Sequence, residues 1–213
     1  MVRQKIDPRV LRSRAAAVSA ARTLFFRHGY GGTTMDDIAE LAGLTKRTLY
    51  NNFSDKSSLF EAMVAEVTVF ASTFARELPH ALEGVVDAHD LRERLTALAQ
   101  RLALAIMRPD VIALRRLLIG ESRAFPALSK LYFERAPRQV IRSLASEFAR
   151  LGASKLILAD DVRLAASQFA YLVVGEPLDR AVLTGTLPSE AAVIKYAREG
   201  AATFMARFAP HAG

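Results

Sequence analysis

Residues 33–56, TTMDDIAELAGLTKRTLYNNFSDK, constrain this chain more than any other stretch. Thr34 is a good N-cap, and Asp37 three positions on completes a capping box while placing a carboxylate at the positive end of a helix. Ile38, Ala39, Leu41 and Ala42 give that helix an apolar side, and Gly43 ends it where a residue free to take positive φ is wanted. Thr45 then restarts the chain as the next N-cap, ahead of a helix over 46–52. At about 100° per residue, Leu49 and Phe53 share the inner face of that helix. Arg47, Thr48 and Asn51 point the other way, with Tyr50 on the flank.

The outward face carries the chemistry. Arg pairs with guanine O6 and N7, Asn with adenine N6 and N7, and Thr and Tyr hydroxyls reach phosphates. Helix, Gly-containing turn and polar second helix make up the helix-turn-helix arrangement. On spacing alone, the same pattern also suits a solvated surface helix in any all-α protein.

The residues themselves narrow this choice. The pieces AARTLFFRHGYGGTTMDDIAELAGL, then TKRTLYNNF, then Lys56 span about 48 residues between Ala17 and Val64. This stretch resembles the DNA-binding domain of the TetR family of bacterial transcriptional regulators. Arg47, where a small residue is common, and Asn52, where His or Tyr is common, depart from the usual pattern. Later pieces, LRRLLIGESRAFPALSKLYFERAPRQV and AASQFAYLVVGEPLDRAVLTG, resemble the C-terminal domains of the AefR-like subgroup. The resemblance implies a three-helix DNA-binding head, a helical ligand-binding and dimerisation domain, and action as a dimer.

Charge is distributed to match. The net charge is +7, and residues 1–56 hold ten Lys/Arg against five Asp/Glu, leaving 19 against 17 for the rest. A basic N-terminal module on a nearly neutral body suits a polyanion-binding head attached to a regulatory domain. We place the division at 1–55 for the head, with a basic arm at residues 1–8, and 56–213 for the body. The arm carries Arg3 and Lys5 ahead of Pro8 and could reach a neighbouring minor groove.

Along the chain, Leu11, Ala15, Val18, Ala21 and Phe25 recur at helical spacing up to His28, which closes the helix as a cation at its C-terminus would, and Gly29–Gly32 makes a turn. Ser54-Asp55 is expected to cap one long helix over 56–78, ended by Pro79. Asp90, Asp110 and Asp161 are expected to open further helices, with a kink at Pro177 and a last helix from Ser189 to Phe208. No segment alternates as a half-buried strand does, so the expected fold is all-α.

Other chemistry is lacking in the sequence. There is no Cys, and the four His lie too far apart for a zinc pair. The carboxylate pairs Asp36-Asp37 and Asp160-Asp161 open helices, which makes capping their role. No GxSxG or nucleophile–base motif occurs. We expect no enzyme activity, cofactor or metal. The N-terminus lacks the apolar core of a signal peptide, and no apolar run nears the roughly 18 residues of a membrane span. A cytoplasmic protein without membrane contact is expected.

These features point to a homodimeric regulator, a repressor that binds a palindromic double-stranded operator and is released by a small apolar or aromatic effector. The other reading is a helical small-molecule-binding protein without DNA function. For DNA, Arg47 and Asn51 are expected to read bases with Lys46 as a third, while Thr34, Thr48, Tyr50, Asn52 and Lys56 hold phosphates. For the effector, Phe70 and Phe74, at i and i+4, face Leu118, Glu121, Phe125 and Tyr171. For the dimer, Leu164, Phe169, Leu172, Val173, Ile194, Ala201 and Met205 supply apolar surface.

Overall fold

The computed structural model describes residues 7–210. The basic arm expected at residues 1–8, with Arg3 and Lys5, lies outside the described residues up to position 6. Twelve α-helices and no strand occur among the described residues: α1 (Pro8–His28), α2 (Met35–Leu41), α3 (Lys46–Asn52), α4 (Lys56–Val67), α5 (Val69–Ala81), α6 (Ala88–Ile106), α7 (Pro109–Glu121), α8 (Pro126–Arg135), α9 (Pro137–Ala153), α10 (Val162–Leu172), α11 (Gly175–Thr184) and α12 (Glu190–Phe208). The all-α fold is as expected.

The chain forms two compact units. One runs through Val67 and adds Leu114–Leu131; the other takes Thr68–Ala113 and the chain from Tyr132. In the first, α1 packs against α2, α3 and α4. Asp7 caps α1 by accepting from the Arg9 N–H at 2.8 Å, with Pro8 at the first helical position, where no N–H is needed. Val18, Ala21 and Phe25 are buried as their spacing predicts, whereas Leu11 and Ala15, nearer the start of α1, are exposed. Phe25, Tyr30 and Phe60 form an aromatic core with ring centroids 5.3–5.6 Å apart.

The helix expected over 56–78 is two helices. It is interrupted at Thr68, inside the β-branched run Val67-Thr68-Val69, whose stiff side chains lower helix propensity. Pro79 does not end α5 but lies within its last turn.

In the second unit, α6 packs against α12, and α9 against α5 and α10. Small residues line the α6 and α12 interiors (Ala99, Ala103, Ala197, Ala201), so the helices approach closely. Phe148, Phe169, Phe204 and Phe208 pack ring against ring at 4.7–5.8 Å. Asp87, not Asp90, caps α6, accepting from the Asp90 N–H at 2.8 Å; Asp90 instead pairs with Arg94 one turn on. The helix after Asp161 stops at Leu172, since Val173-Val174-Gly175 is a poor helix former; Pro177 then sits in the first turn of α11, where its missing N–H costs nothing. Phe169, Val173, Ala201 and Met205, expected at a dimer surface, are at most 1% exposed and belong to this unit's own core.

Candidate nucleic-acid interface

The helix pair forms as its sequence directs. Thr34 Oγ1 accepts from the Asp37 N–H at 3.2 Å, and the Asp37 carboxylate accepts from the Thr34 N–H at 2.9 Å and the Thr34 hydroxyl at 2.7 Å. These hydrogen bonds from Thr34 hold the Asp37 carboxyl below the usual carboxylate range. Gly43 turns the chain at φ 65°, and Leu44 donates its N–H back to the Ala39 carbonyl at 2.9 Å. Thr45 caps α3, accepting from the Thr48 N–H at 3.1 Å, and the two hydroxyls hydrogen-bond each other at 2.8 Å.

Leu49 is 0% and Phe53 3% exposed, so both anchor α3 in the head core. Lys46, Arg47, Tyr50 and Asn51 are exposed. The Lys46 ammonium meets the Asp36 carboxylate at 2.7 Å, which raises it above the ordinary lysine range while tying α3 to α2. Thr34, although exposed, uses its hydroxyl in the capping box.

Three candidates are held closer to home. Thr48 is half-buried, and its carbonyl accepts from the Asn52 side chain at 2.9 Å. The Asn52 amide also donates to Ser13 Oγ at 3.1 Å, so it ties α3 to α1. Arg14 completes this tie: it donates to the Asn52 carbonyl at 3.0 Å, and its guanidinium lies 4.3 Å from the Phe53 ring centre. Ser13 and Arg14 lie 39 and 38 positions before Asn52, a pairing that no local pattern announces. Lys56 turns inward, donating to the Tyr30 and Thr33 carbonyls, each at 2.8 Å, with its ammonium 4.4 Å from the Tyr30 ring centre. Burial pushes this ammonium below the ordinary lysine range, and the Glu121 carboxylate partly offsets that.

The six effector candidates are divided. Leu118, Glu121 and Phe125 belong to the unit that contains α1–α4, and Phe70, Phe74 and Tyr171 to the other. Glu121 accepts from the Tyr30 and Gly31 N–H groups, Phe125 meets Tyr30 edge to face at 4.7 Å, and Leu118 is buried. Phe70 and Phe74 keep the expected i, i+4 contact at 5.6 Å, but Phe74 is core, 1% exposed. Tyr171 is half exposed and lines an open groove of about 460 Å³ with Leu172, Tyr196, Phe204 and Phe208; none of the other five candidates lines it. No group of three or more His, Asp or Glu among the described residues could hold a metal.

Residues 17–63 match the sequence pattern of the bacterial regulatory proteins of the tetR family, and residues 93–210, more than half of the chain, match the AefR-like transcriptional repressor C-terminal domain. The chain belongs to the TetR family. Solved TetR-family structures share the whole architecture. A transcriptional regulator from Mesorhizobium loti MAFF303099 is 28% identical, with a TM-score of 0.83 over 96% of this chain and 100% of its own. The flavonoid-responsive regulator FrrA is 30% identical, with a TM-score of 0.74 over 94% of this chain and 99% of its own. The HTH-type transcriptional regulator TtgR of Pseudomonas putida is 40% identical over 52 residues, 24% of this chain and 25% of its own length. No single helix among the described residues is long and apolar enough to cross a membrane.

Proposed function

We propose that this TetR-family protein is a dimeric transcriptional repressor that reads a palindromic double-stranded operator through α3 and is released by a small apolar or aromatic effector. One observation carries the reading: α3 is pinned from inside by Leu49 and Phe53 while Lys46, Arg47, Tyr50 and Asn51 stay exposed. Arg47 and Asn51 read bases in this account, with Lys46 as a third once it exchanges Asp36 for DNA. Thr34, Thr48 and Tyr50 hold phosphates. Asn52 and Lys56 serve first to fix the head; an ammonium has three protons and Lys56 commits two, so one remains for a phosphate. A cytoplasmic location goes with binding an operator.

Regulators of this family bind operator DNA and act as dimers. In this chain, α10 carries Leu164 and Tyr171 about half exposed at i and i+7 with Gln168 between them, beside the groove bounded by Arg207 and Phe208. A dimer presents two heads to DNA about one turn, ~34 Å, or more apart. Sedimentation at micromolar concentration should give the mass of two chains; one chain would overturn the dimer.

For the effector, the exposed side of Phe70 beside Phe74 is the proposed contact, and the likeness to the flavonoid-responsive regulator FrrA makes flavonoid-type aromatics the first compounds to try. A thermal-shift screen should yield hits that bind more weakly, by about 1–3 kcal/mol, once operator saturates the protein. The central experiment is binding of purified protein to genomic fragments over a salt series, followed by sequencing of the bound DNA. Enrichment of one palindromic sequence supports the repressor. Uniform, weak binding to all fragments would leave a helical small-molecule-binding protein without DNA function.

A further inference from the structure

The turn between α1 and α2 is gripped from two sides by opposite charges. Glu121 Oε1, at the end of α7, accepts from the Tyr30 N–H at 2.7 Å and the Gly31 N–H at 3.2 Å. Lys56 Nζ, at the start of α4, donates to the Tyr30 and Thr33 carbonyls. Two N–H groups of this turn therefore donate to a carboxylate, and two of its carbonyls accept from an ammonium. Such charge-assisted bonds are about twice as strong as neutral ones. The Tyr30 ring is wedged among Phe25, Phe60 and Phe125 at 4.7–5.4 Å, so side chain and backbone are fixed together.

The turn is shaped for this grip. Gly29 sits at φ 77°, which favours glycine, and a Cβ there would lie 2.7 Å from Glu121 Oε1, so any side chain would force the carboxylate to shift. Thr33, 1% exposed, then closes the turn by donating its hydroxyl to the Gly29 carbonyl at 2.9 Å, and Thr34 follows as the cap of α2. Whatever holds residues 29–33 holds the start of α2, and the Lys46–Asp36 pair links α2 to α3.

We infer that Glu121 is a positioning residue for DNA recognition: acting through the Tyr30 and Gly31 amides, against Lys56 on the carbonyls, it sets the direction in which α2 and α3 leave α1. The inference deepens the repressor reading and rests on it. Glu121 touches no DNA in this account. Its effect falls on specific binding, which needs α3 seated in the groove, more than on non-specific binding, which needs only positive charge.

The test uses full-length wild-type, Glu121→Ala and Glu121→Gln proteins. The probes are the genomic fragment most enriched by the wild type and poly(dI-dC). Glu121→Ala should bind the enriched fragment about tenfold more weakly, as loss of a charge-assisted pair of bonds allows, with poly(dI-dC) binding within about twofold. Glu121→Gln keeps an acceptor oxygen and should recover most of the loss. In amide NMR spectra, the Tyr30 and Gly31 N–H signals should lie downfield in the wild type and move upfield in both variants, further in Ala than in Gln. Folded Glu121→Ala protein that binds the enriched fragment like the wild type would overturn the inference. So would equal losses on both probes, or unmoved Tyr30 and Gly31 signals. If Glu121→Ala fails to fold, Glu121→Gln decides on the same signals. If the wild type enriches no fragment, the repressor reading fails; the amide signals still judge the clamp on the turn.

Discussion

The two compact units solve different mechanical problems with the same kind of helix. In the unit around α1–α4, a small aromatic core is supplemented by polar clamps: Arg14 and Ser13 on Asn52 and Lys56 and Glu121 on the 29–33 turn between distant segments, and Lys46 on Asp36 between neighbouring helices. In the other, the interior is almost wholly apolar, with four phenylalanines packed between α9, α10 and α12 and alanines where α6 meets α12. Apolar packing is strong but non-directional. Hydrogen bonds and ion pairs add little net energy but fix geometry. A surface that must match base edges needs the second, and a body that must stay folded needs the first.

Breaking the comparison starts where the energy is. Phe204 is fully buried against Phe148, Phe169 and Phe208, so Phe204→Ala should cost the second unit about 3–5 kcal/mol. Chemical denaturation followed by circular dichroism should show that loss. A loss under about 1 kcal/mol would mean that this cluster is not what holds the unit. Arg47→Ala should do the opposite: no change in unfolding, since Arg47 is exposed, but about 1–3 kcal/mol less discrimination at one operator base pair. Unchanged preference across a set of single-base operator variants would remove Arg47 from base reading. Thr34→Ala lies between these two kinds of effect. Losing the cap should cost about 1 kcal/mol of head stability and fray the first turn of α2, seen as faster amide exchange at Asp37. Unaltered exchange there would show that the Asp37 side of the box suffices.

What is legible in the sequence follows the same line. α2, the turn and α3 are readable because their signals are local: a cap, its partner three residues on, a glycine and the next cap. The inner pair Leu49 and Phe53 follows from periodicity alone. The roles of Asn52, Lys56 and Glu121 are not legible, because their partners stand 39, 26 and 91 positions away in the chain. In sequence, Glu121 close after the apolar run Leu117-Leu118-Ile119 resembles a polar group in a ligand wall, whereas its carboxylate serves backbone amides. Leu11 misleads for a related reason: helical spacing identifies one face, but not whether anything packs on it. The breaks at Thr68 and after Leu172 are hidden because the nearby prolines are the stronger punctuation, while β-branched runs end those helices.

The smallest predicted effect separates the two ways of holding a carboxylate. Asp37, in the first unit, lies below the usual carboxylate range because the Thr34 hydroxyl and N–H donate to it. Asp90, in the second, lies below it chiefly because the Arg94 side chain donates to it at 2.7 Å. Both carboxyls are more acidic folded than unfolded, so each contributes stability above the ordinary aspartate value of about 3.9, lost as pH falls through its folded value. Acid should therefore loosen α2 and α6 alike below about pH 4. Salt should not act alike. The Asp90–Arg94 pair is a half-buried ion pair, its charges partly screened as the Debye length shrinks from about 10 Å at 0.1 M to about 3 Å at 1 M, while the Thr34 donors are neutral dipoles in direct contact. Carboxyl NMR titrations at the two salt concentrations should move Asp90 back toward the ordinary value and leave Asp37 nearly in place. Equal movement of the two would mean that Asp37 also depends on a distant positive charge, such as His28, rather than on its cap.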